Sequence, residues 1–316
     1  MMVGIWGAGL IGRSLAAVLA GQGVPVCILN RSTEKPVLAA GRELPMRCLS
    51  FAAGAGEMLA VLQGLSVLVH CAGSAADDHA EFEAAALVLA EAAIKAGLRR
   101  VVMLSTVAVY GDALEAVGLT PGTCVVKSLL PMPVSRYAQS RYRAESCMRE
   151  CLRQGGVGFT VVRVPMVLGP GMTARPFAKL RQALDIGIFP ALGSPSACLP
   201  CIRCERLAHG LAMLVMEAGP LQDLYQFSES LPWSSVRDSY VEKTGKRVLS
   251  IPLPGRFIFN LLNLLGARRA ALIVKSMTNE AVYLDDLAGL LGEDGSGQPS
   301  KSRLCPDDAL RDTLWP

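Results

Sequence analysis

The sequence predicts an α/β protein in which a doubly wound, mostly parallel sheet is followed by a smaller C-terminal lobe. Three observations carry this expectation. Short aliphatic runs alternate with helical patterns through the first half of the chain, as they do in βαβ units. A glycine turn, Gly7-Ala8-Gly9-Leu10-Ile11-Gly12, lies between the first aliphatic run and the first helical pattern. The composition, 51% hydrophobic but only 5% aromatic and 18% charged over 316 residues, suits strands covered by helices on both faces.

Taken in order, Val3 to Trp6 reads as a strand, the glycine turn follows, and Arg13 to Ala20 is a helix closed by Gly21 and Gly23. Val26 to Leu29 is the next strand. Ser66 to Cys71 is a buried strand ended by Ala72 and Gly73, and an Ala-rich helix runs from about Asp78 to Ala96, where Gly97 is a good C-terminal residue. Arg100 to Leu104 and Phe159 to Arg163 are strands, with helical periodicity between them from Tyr137 to about Arg153. Beyond Pro165 the pattern loosens. Helices are expected from Pro176 to Gly187, from Glu205 to Ala218 and from Ser234 to Thr244, with a strand from Leu224 to Phe227. Residues 1–165 are therefore expected to form one domain and 166–316 a smaller substrate-binding lobe, with segments at about 199–204 and 224–228 returning to the first sheet.

The glycine turn has a physical reading. Its glycines permit a tight turn, close approach of backbone to a pyrophosphate and close helix–strand packing, and the helix start supplies free N–H groups and a positive dipole end. With strand, turn, helix and second strand all in place, Gly7, Gly9, Leu10, Ile11 and Gly12 are read as the dinucleotide cradle of a Rossmann-type domain. The end of the second strand selects the cofactor. Asn30-Arg31-Ser32 carries no carboxylate for an adenine ribose, whereas Arg31 can pair with an extra phosphate and Ser32 can donate to it, so NADP is expected in preference to NAD. Arg31 as a solvated loop residue is the bland alternative. Cys71, Ala72, Gly73 and Pro165, at strand ends, are read as further cofactor contacts.

Several classes are set aside. A net charge of +4, dispersed and without interleaved aromatics, does not suit nucleic acid. The apolar stretch from Phe257 to Val274 is interrupted by Arg268 and Arg269, so no integral membrane segment is expected. Ten scattered cysteines in a long chain without a secretory signature predict reduced thiols and a cytoplasmic location. Cys198, Cys201 and Cys204 form a C-x-x-C-x-x-C run. Ala208 stands where a ferredoxin would have its fourth ligand, and His209 is a distant substitute. The run is read as a buried strand leading into a helix, with no metal.

At this point the sequence resembles the extended short-chain dehydrogenase/reductases, the NAD-dependent epimerase/dehydratase family. The glycine turn is similar to theirs, with Trp6 where many members have a first glycine. Leu104-Ser105-Thr106-Val107-Ala108-Val109-Tyr110-Gly111 looks like their fifth-strand segment, and Tyr137-Ala138-Gln139-Ser140-Arg141, followed by Glu145, resembles their Tyr-x-x-x-Lys helix. Arg163-Val164-Pro165-Met166-Val167-Leu168-Gly169-Pro170-Gly171 is similar to their Arg-Pro-x-x-x-Tyr-Gly-Pro-Gly segment. The resemblance implies that Tyr137 exchanges a proton with a substrate hydroxyl or carbonyl while hydride moves to or from nicotinamide. It implies that Thr106, with Ser105, contacts the same substrate oxygen, and that position 141 holds the cation beside the tyrosine and the nicotinamide ribose. Residues four apart share a helix face, which makes that spacing intelligible. Arg141 replaces the usual lysine, Ser50 and Ser66 stand where aspartates are common, and Val164 and Leu168 also depart. A guanidinium is not a conservative substitute for an ammonium.

The segment after Gly169 resembles the substrate-binding part of nucleotide-sugar enzymes, with Arg175 and Arg203 as candidate diphosphate partners or, equally, solvated surface residues. The expectation is an NADP-dependent reductase of a carbonyl, the 4-keto group of a nucleotide sugar. A nucleotide-sugar epimerase with tightly held NAD and a non-catalytic NADP-binding sensor or scaffold stand as alternatives. Relatives pair through helices like Asp78–Ala96 and Tyr137–Arg153, which implies a possible homodimer.

Overall fold

The computed structural model describes residues 1–73, 78–111, 113–116, 124–169, 175–192, 197–253 and 282–292, with isolated positions within 258–266 and 300–304. The chain begins with β1 (Val3–Trp6), α1 (Leu10–Gly21), β2 (Val26–Asn30), the two-residue β3 (Leu38–Ala39) and β4 (Arg42–Glu43), β5 (Met46–Cys48) and α2 (Ala55–Leu62). Next come β6 (Val67–His70), α3 (His79–Lys95), β7 (Arg100–Thr106), a 3-10 turn (Val107–Tyr110), α4 (Ala113–Ala116), β8 (Cys124–Val125), α5 (Arg136–Gln154) and β9 (Gly158–Val164). Then follow β10 (Met166–Leu168), α6 (Arg175–Asp185), β11 (Ile188–Leu192), β12 (Cys198–Arg203), α7 (Cys204–Met216) and β13 (Leu224–Gln226). The last elements are β14 (Glu229–Pro232), α8 (Trp233–Thr244), β15 (Leu249–Leu253), β16 (Val282–Asp285), α9 (Asp286–Leu290), β17 (Ser300–Lys301) and β18 (Arg303–Leu304).

Two units result. The first comprises Met1–Tyr110, Pro131–Val164 and Cys204–Tyr225. Its seven-stranded sheet has the order β13-β9-β7-β6-β1-β2-β5. β1, β2, β5, β6, β7 and β9 run parallel. The chain winds outward from β1 through β2 to β5, then returns to β6 on the other side of β1. That reversal opens a crevice at the carboxyl ends of β1 and β6, where ligands of such sheets bind.

The aliphatic strands are buried on both faces, as β1 and β6 show with every residue inside. On one face α2, α3 and α5 cover a core that includes Leu29, Leu49, Met58, Leu89 and Met148. The helices start where their caps allow. Asp78 accepts the amides of Ala80 and Glu81 at 2.8 and 3.2 Å, and Ser135 accepts that of Ala138 at 3.2 Å.

The second unit comprises Gly111–Leu130, Pro165–Arg203 and Gln226–Pro316. It holds a four-stranded sheet, β10-β12-β14-β18, a parallel β11–β15 pair and a small β17-β16-β8 sheet. One expectation is corrected here. Residues 199–203 do not return to the first sheet, because β12 pairs with β10 and β14. What rejoins the first unit is the helix α7, packed on α1, and the strand β13 beside β9. Arg99 and Arg100 hold the far end of that helix: their guanidinium groups donate to the carbonyls of Leu214, Val215 and Glu217, satisfying its last turn. Among the described residues no helix is long and apolar enough to cross a membrane; most of the Phe257–Val274 stretch, and Leu314-Trp315-Pro316, lie outside them.

Candidate active site

The crevice is built first from backbone. Gly7 leaves β1 with φ +112°, and a Cβ there would come within 2.9 Å of the Ala72 backbone. At Gly12 a Cβ would overlap the carbonyl oxygen of Gly7. Only glycine fits either place. Gly9, the N-cap of α1, faces open space and caps the helix with no side chain. The first amides of α1, including those of half-buried Leu10 and Ile11, are thus unclaimed by a cap and aligned with the positive end of the helix dipole. This is an anion cradle.

A cavity of about 390 Å³ adjoins it, within the ordinary range of small-molecule sites. Its walls are Gly7–Gly9, Asn30–Arg31, Leu49–Ala52 and Cys71–Gly73, with Glu81 the carboxylate on its lining. Arg31 is exposed on this lining; its carbonyl accepts the Cys48 thiol at 3.3 Å. Asn30 donates its side-chain amide to the Ser32 carbonyl at 2.8 Å, and the Ser32 hydroxyl accepts the Glu34 amide at 3.3 Å. The turn carrying Arg31 is therefore held by its own side chains. Burial pushes the Cys71 thiol up to about 12, so it stays protonated as a wall residue rather than a nucleophile.

Beneath the cavity lies an aromatic column that the sequence did not announce. Trp6 stacks on His70 with ring centres 4.5 Å apart, and Phe82 stands 5.5 Å from His70. The indole is buried, so the residue at the usual glycine position packs in the core while also contributing to the cavity lining. Desolvation, with Arg141 nearby, lowers the His70 pKa to about 3 and keeps the ring neutral.

The side-chain part of the site sits at the ends of β7 and α5. Thr106 is the last residue of β7, and its Oγ1 accepts the Ala108 amide at 3.1 Å, which starts the 3-10 turn. Tyr137 lies half-buried in the first turn of α5, 6.0 Å from the His79 ring. Arg141, one turn on, is buried; its guanidinium lies over the Phe82 and Tyr137 rings and donates to the carbonyls of Ala72 and Gly73. The next turn carries Glu145, also buried. It accepts Ser105 Oγ and both Nε and Nη2 of Arg163, at 3.3 and 2.7 Å for the arginine. Burial works against the Arg163 charge, but the hydrogen bond and charge of Glu145 outweigh it and hold its pKa above the ordinary value.

The structure thus brings together Gly7–Gly9 of the glycine turn, Asn30–Arg31 and Cys71–Gly73 around one cavity, with Arg141 bonded to its Ala72–Gly73 wall; Ser32 lies next to this lining, not on it. Ser105 donates its hydroxyl to buried Glu145, which ties β7 to α5. Pro165, Arg175 and Arg203 belong to the second unit. Pro165 follows β9 directly, and Arg175 opens α6 with its side chain outside the described residues. Arg203 is paired: its guanidinium and its own amide both donate to Glu229, at 2.8 Å each. Cys198 and Cys201 lie three apart on β12, so they point to opposite faces. Among the described residues no group of three His, Cys, Asp or Glu side chains is disposed to hold a metal. Phe82 and the partnership of Glu145 with Arg163 escaped the sequence reading. The available signal was spacing, since 137, 141 and 145 share one face of α5.

The family model described as the NAD-dependent epimerase/dehydratase family matches residues 3–186. No curated protein matches the sequence. Among solved structures, the UDP-glucose 4-epimerase of Thermotoga maritima, determined with UDP-glucose, is similar over 99% of this chain and 97% of its own, at 19% identity and a TM-score of 0.71. MoeE5 with UDP-glucuronic acid and NAD covers 80% of this chain and 86% of its own, at 20% identity and a TM-score of 0.63. WbmH of Bordetella bronchiseptica, with NAD+, covers 80% and 85% at 22% identity and a TM-score of 0.61.

Proposed function

The chain belongs to the NAD-dependent epimerase/dehydratase family, and from that premise we propose that it is an NADP-dependent oxidoreductase reducing a carbonyl, the 4-keto group of a nucleotide sugar. The observation that carries the reading is the conjunction of an uncapped glycine cradle with Arg141, which donates to the Ala72–Gly73 wall of the adjoining cavity and lies 5.3 Å from the ring of Tyr137 one helical turn away. The residues present fit a dinucleotide. Gly7 and Gly12 admit no side chain, Gly9 faces open space, and the cavity continues toward Arg31.

When bound, the nicotinamide group supplies hydride to the carbonyl carbon. The chain's own residues manage the proton. Tyr137 donates its phenolic proton to the carbonyl oxygen as negative charge develops there. Thr106 Oγ1 accepts from Ala108, which leaves its hydroxyl hydrogen to donate to the same oxygen and fix its position. Arg141 sets a positive charge 5.3 Å from the centre of the Tyr137 ring, and its field favours the phenolate left when the proton has gone.

Arg31 and the absence of a carboxylate at the end of β2 support NADP. A second reading, epimerisation with retained NAD, is favoured by the likeness to UDP-glucose 4-epimerase and by the NAD in similar structures. Arg175 is retained in the proposal as a diphosphate partner; Arg203 serves there only if it leaves part of its contact with Glu229. Pairing through α3 and α5 into a homodimer belongs to the same proposal, and light scattering of the purified protein decides it. The deciding assay is NADPH oxidation against a panel of carbonyl compounds that includes 4-keto nucleotide sugars. Turnover of one such sugar supports the reductase. Interconversion of UDP-sugars without net NADPH consumption transfers the assignment to the epimerase, and no reaction in protein that holds the dinucleotide defeats both.

A further inference from the structure

Arg141 stands where the similar Tyr-x-x-x-Lys helices have a lysine. A lysine ammonium is a compact point charge, whereas a guanidinium is a planar fork that rewards two acceptors and an aromatic face. This site supplies all of them. Nη2 donates to the Gly73 carbonyl at 2.6 Å and Nη1 to that of Ala72 at 3.4 Å. The guanidinium carbon lies 3.9 Å from the centre of the Phe82 ring, within cation–π range. The space for the fork is made by Gly73. Its φ is +97°, and a Cβ there would stand 2.5 Å from Nη2 and 3.0 Å from the Phe82 ring. Phe82 in turn is fixed by Phe51, edge-on at 5.5 Å, and by neutral His70. The Tyr137 ring centre lies 5.3 Å from the same guanidinium carbon. One buried cation therefore touches both a wall of the cavity and the ring of the proton donor.

We propose that Gly73, Phe82 and Arg141 form a single interdependent device that fixes the Ala72–Gly73 wall and the Tyr137 ring together, so that Arg141 is a positioning residue lysine cannot replace. The substitution at 141 is then a rebuilt site rather than a damaged one. A lysine would satisfy one carbonyl, lose the planar contact with Phe82 and leave a void beside Gly73. The effect on ligand binding rests on the dinucleotide reading above; the interdependence does not.

The test is a double-mutant cycle on the full chain with Arg141→Lys, Phe82→Leu and the pair. Three quantities are measured: dissociation constants for NADPH and NADH, kcat against KM, and the thermal midpoint. Each single change is expected to weaken dinucleotide binding about tenfold and to lower kcat more than it raises substrate KM. The pair is expected to be no worse than the worse single. In Arg141→Ala, added methylguanidine is expected to restore binding where methylamine does not, a selectivity that loosened packing alone would not produce. Arg141→Lys equal to or better than the parent, losses that multiply in the pair, or equal rescue by both cations overturns the proposal. If the parent protein binds neither dinucleotide, the functional reading fails by itself. The cycle in thermal midpoint then judges the device: shared losses support it and summed losses overturn it.

Discussion

The first unit buries aliphatic strands between helices, and among its buried cations Arg163 pairs with Glu145 side chain to side chain, while Arg141 and Arg100 donate to backbone carbonyls. The second unit holds its short strands together with carboxylates that accept backbone amides. Asp285 Oδ1 accepts the amides of Ser228 and Leu287, and Asp286 Oδ2 accepts that of Gln226 at 2.8 Å while its other oxygen pairs with Lys127. Gln226 donates to the carbonyls of Val125 and Leu284, and Glu229 binds both the amide and the guanidinium of Arg203. Parallel strands joined in one seven-stranded sheet need only a local pattern of apolar residues. The strands of the second unit are divided among smaller sheets that satisfy fewer of their hydrogen bonds, so distant side chains complete them.

The sharpest way to probe the difference is at the site itself. Tyr137→Phe removes the proton donor without touching the cradle. It is expected to lower kcat by about 10²–10⁴-fold, the usual worth of a positioned acid, with dinucleotide affinity unchanged in a fluorescence titration. An unchanged rate would move catalysis away from α5.

Next in size are the buried pairs. Glu145→Leu leaves Arg163 buried without its carboxylate and is expected to cost about 3–5 kcal/mol in urea unfolding. Adding Arg163→Met is expected to recover at least half of that loss, because both partners become apolar. The parallel pair in the second unit, Glu229→Leu with Arg203→Met, is expected to recover less, since the Arg203 amide still lacks its acceptor. Equal recovery in the two units would break the distinction between side-chain pairs and backbone caps.

Acid is expected to strike through His70. Its folded pKa, about 3, lies below the unfolded value near 6.5, so the unfolded chain binds the proton first. This contribution to stability is whole above pH 6.5 and is lost as pH falls toward 3, by about 3 kcal/mol at pH 4. His70→Phe should flatten that part of a pH series of urea unfolding curves; an unchanged slope would assign the acid sensitivity elsewhere. The smallest expected effect is Arg31→Ala, which should weaken NADPH about tenfold, or about 1.4 kcal/mol, and leave NADH alone. Equal loss of both would remove the argument for NADP.

Much of the first unit was legible in the residues. β1 falls on Val3–Trp6 as expected, α5 runs one residue beyond the expected Tyr137–Arg153 at each end, and α3 begins at His79 behind the capping Asp78. These elements obey rules of neighbours: a strand's apolar run, a helix's spacing, a cap within four residues. The strands β11, β14 and β15 were not foreseen, because their residues carry no alternation strong enough to outweigh the prolines and glycines around them. The segment 199–203 was placed in the wrong sheet for a related reason. Its apolar run marks a buried strand but does not name the strand it pairs with.

By itself the sequence determined the glycine turn, the identities of Tyr137, Thr106 and Arg141, and the α/β order of the first unit, since each of these is written within a few residues of chain. Only tertiary structure decided that Ser105 serves Glu145, that Trp6 turns into the core against His70, and that Arg203 is engaged by Glu229. It also gave Arg141 its surroundings, bringing Gly73 and Phe82, 68 and 59 residues earlier, against one guanidinium. A side chain's chemistry is local, but its partners are chosen by the path of the backbone, and burial makes that choice binding because a charge or amide taken out of water must find its partner where the fold puts one.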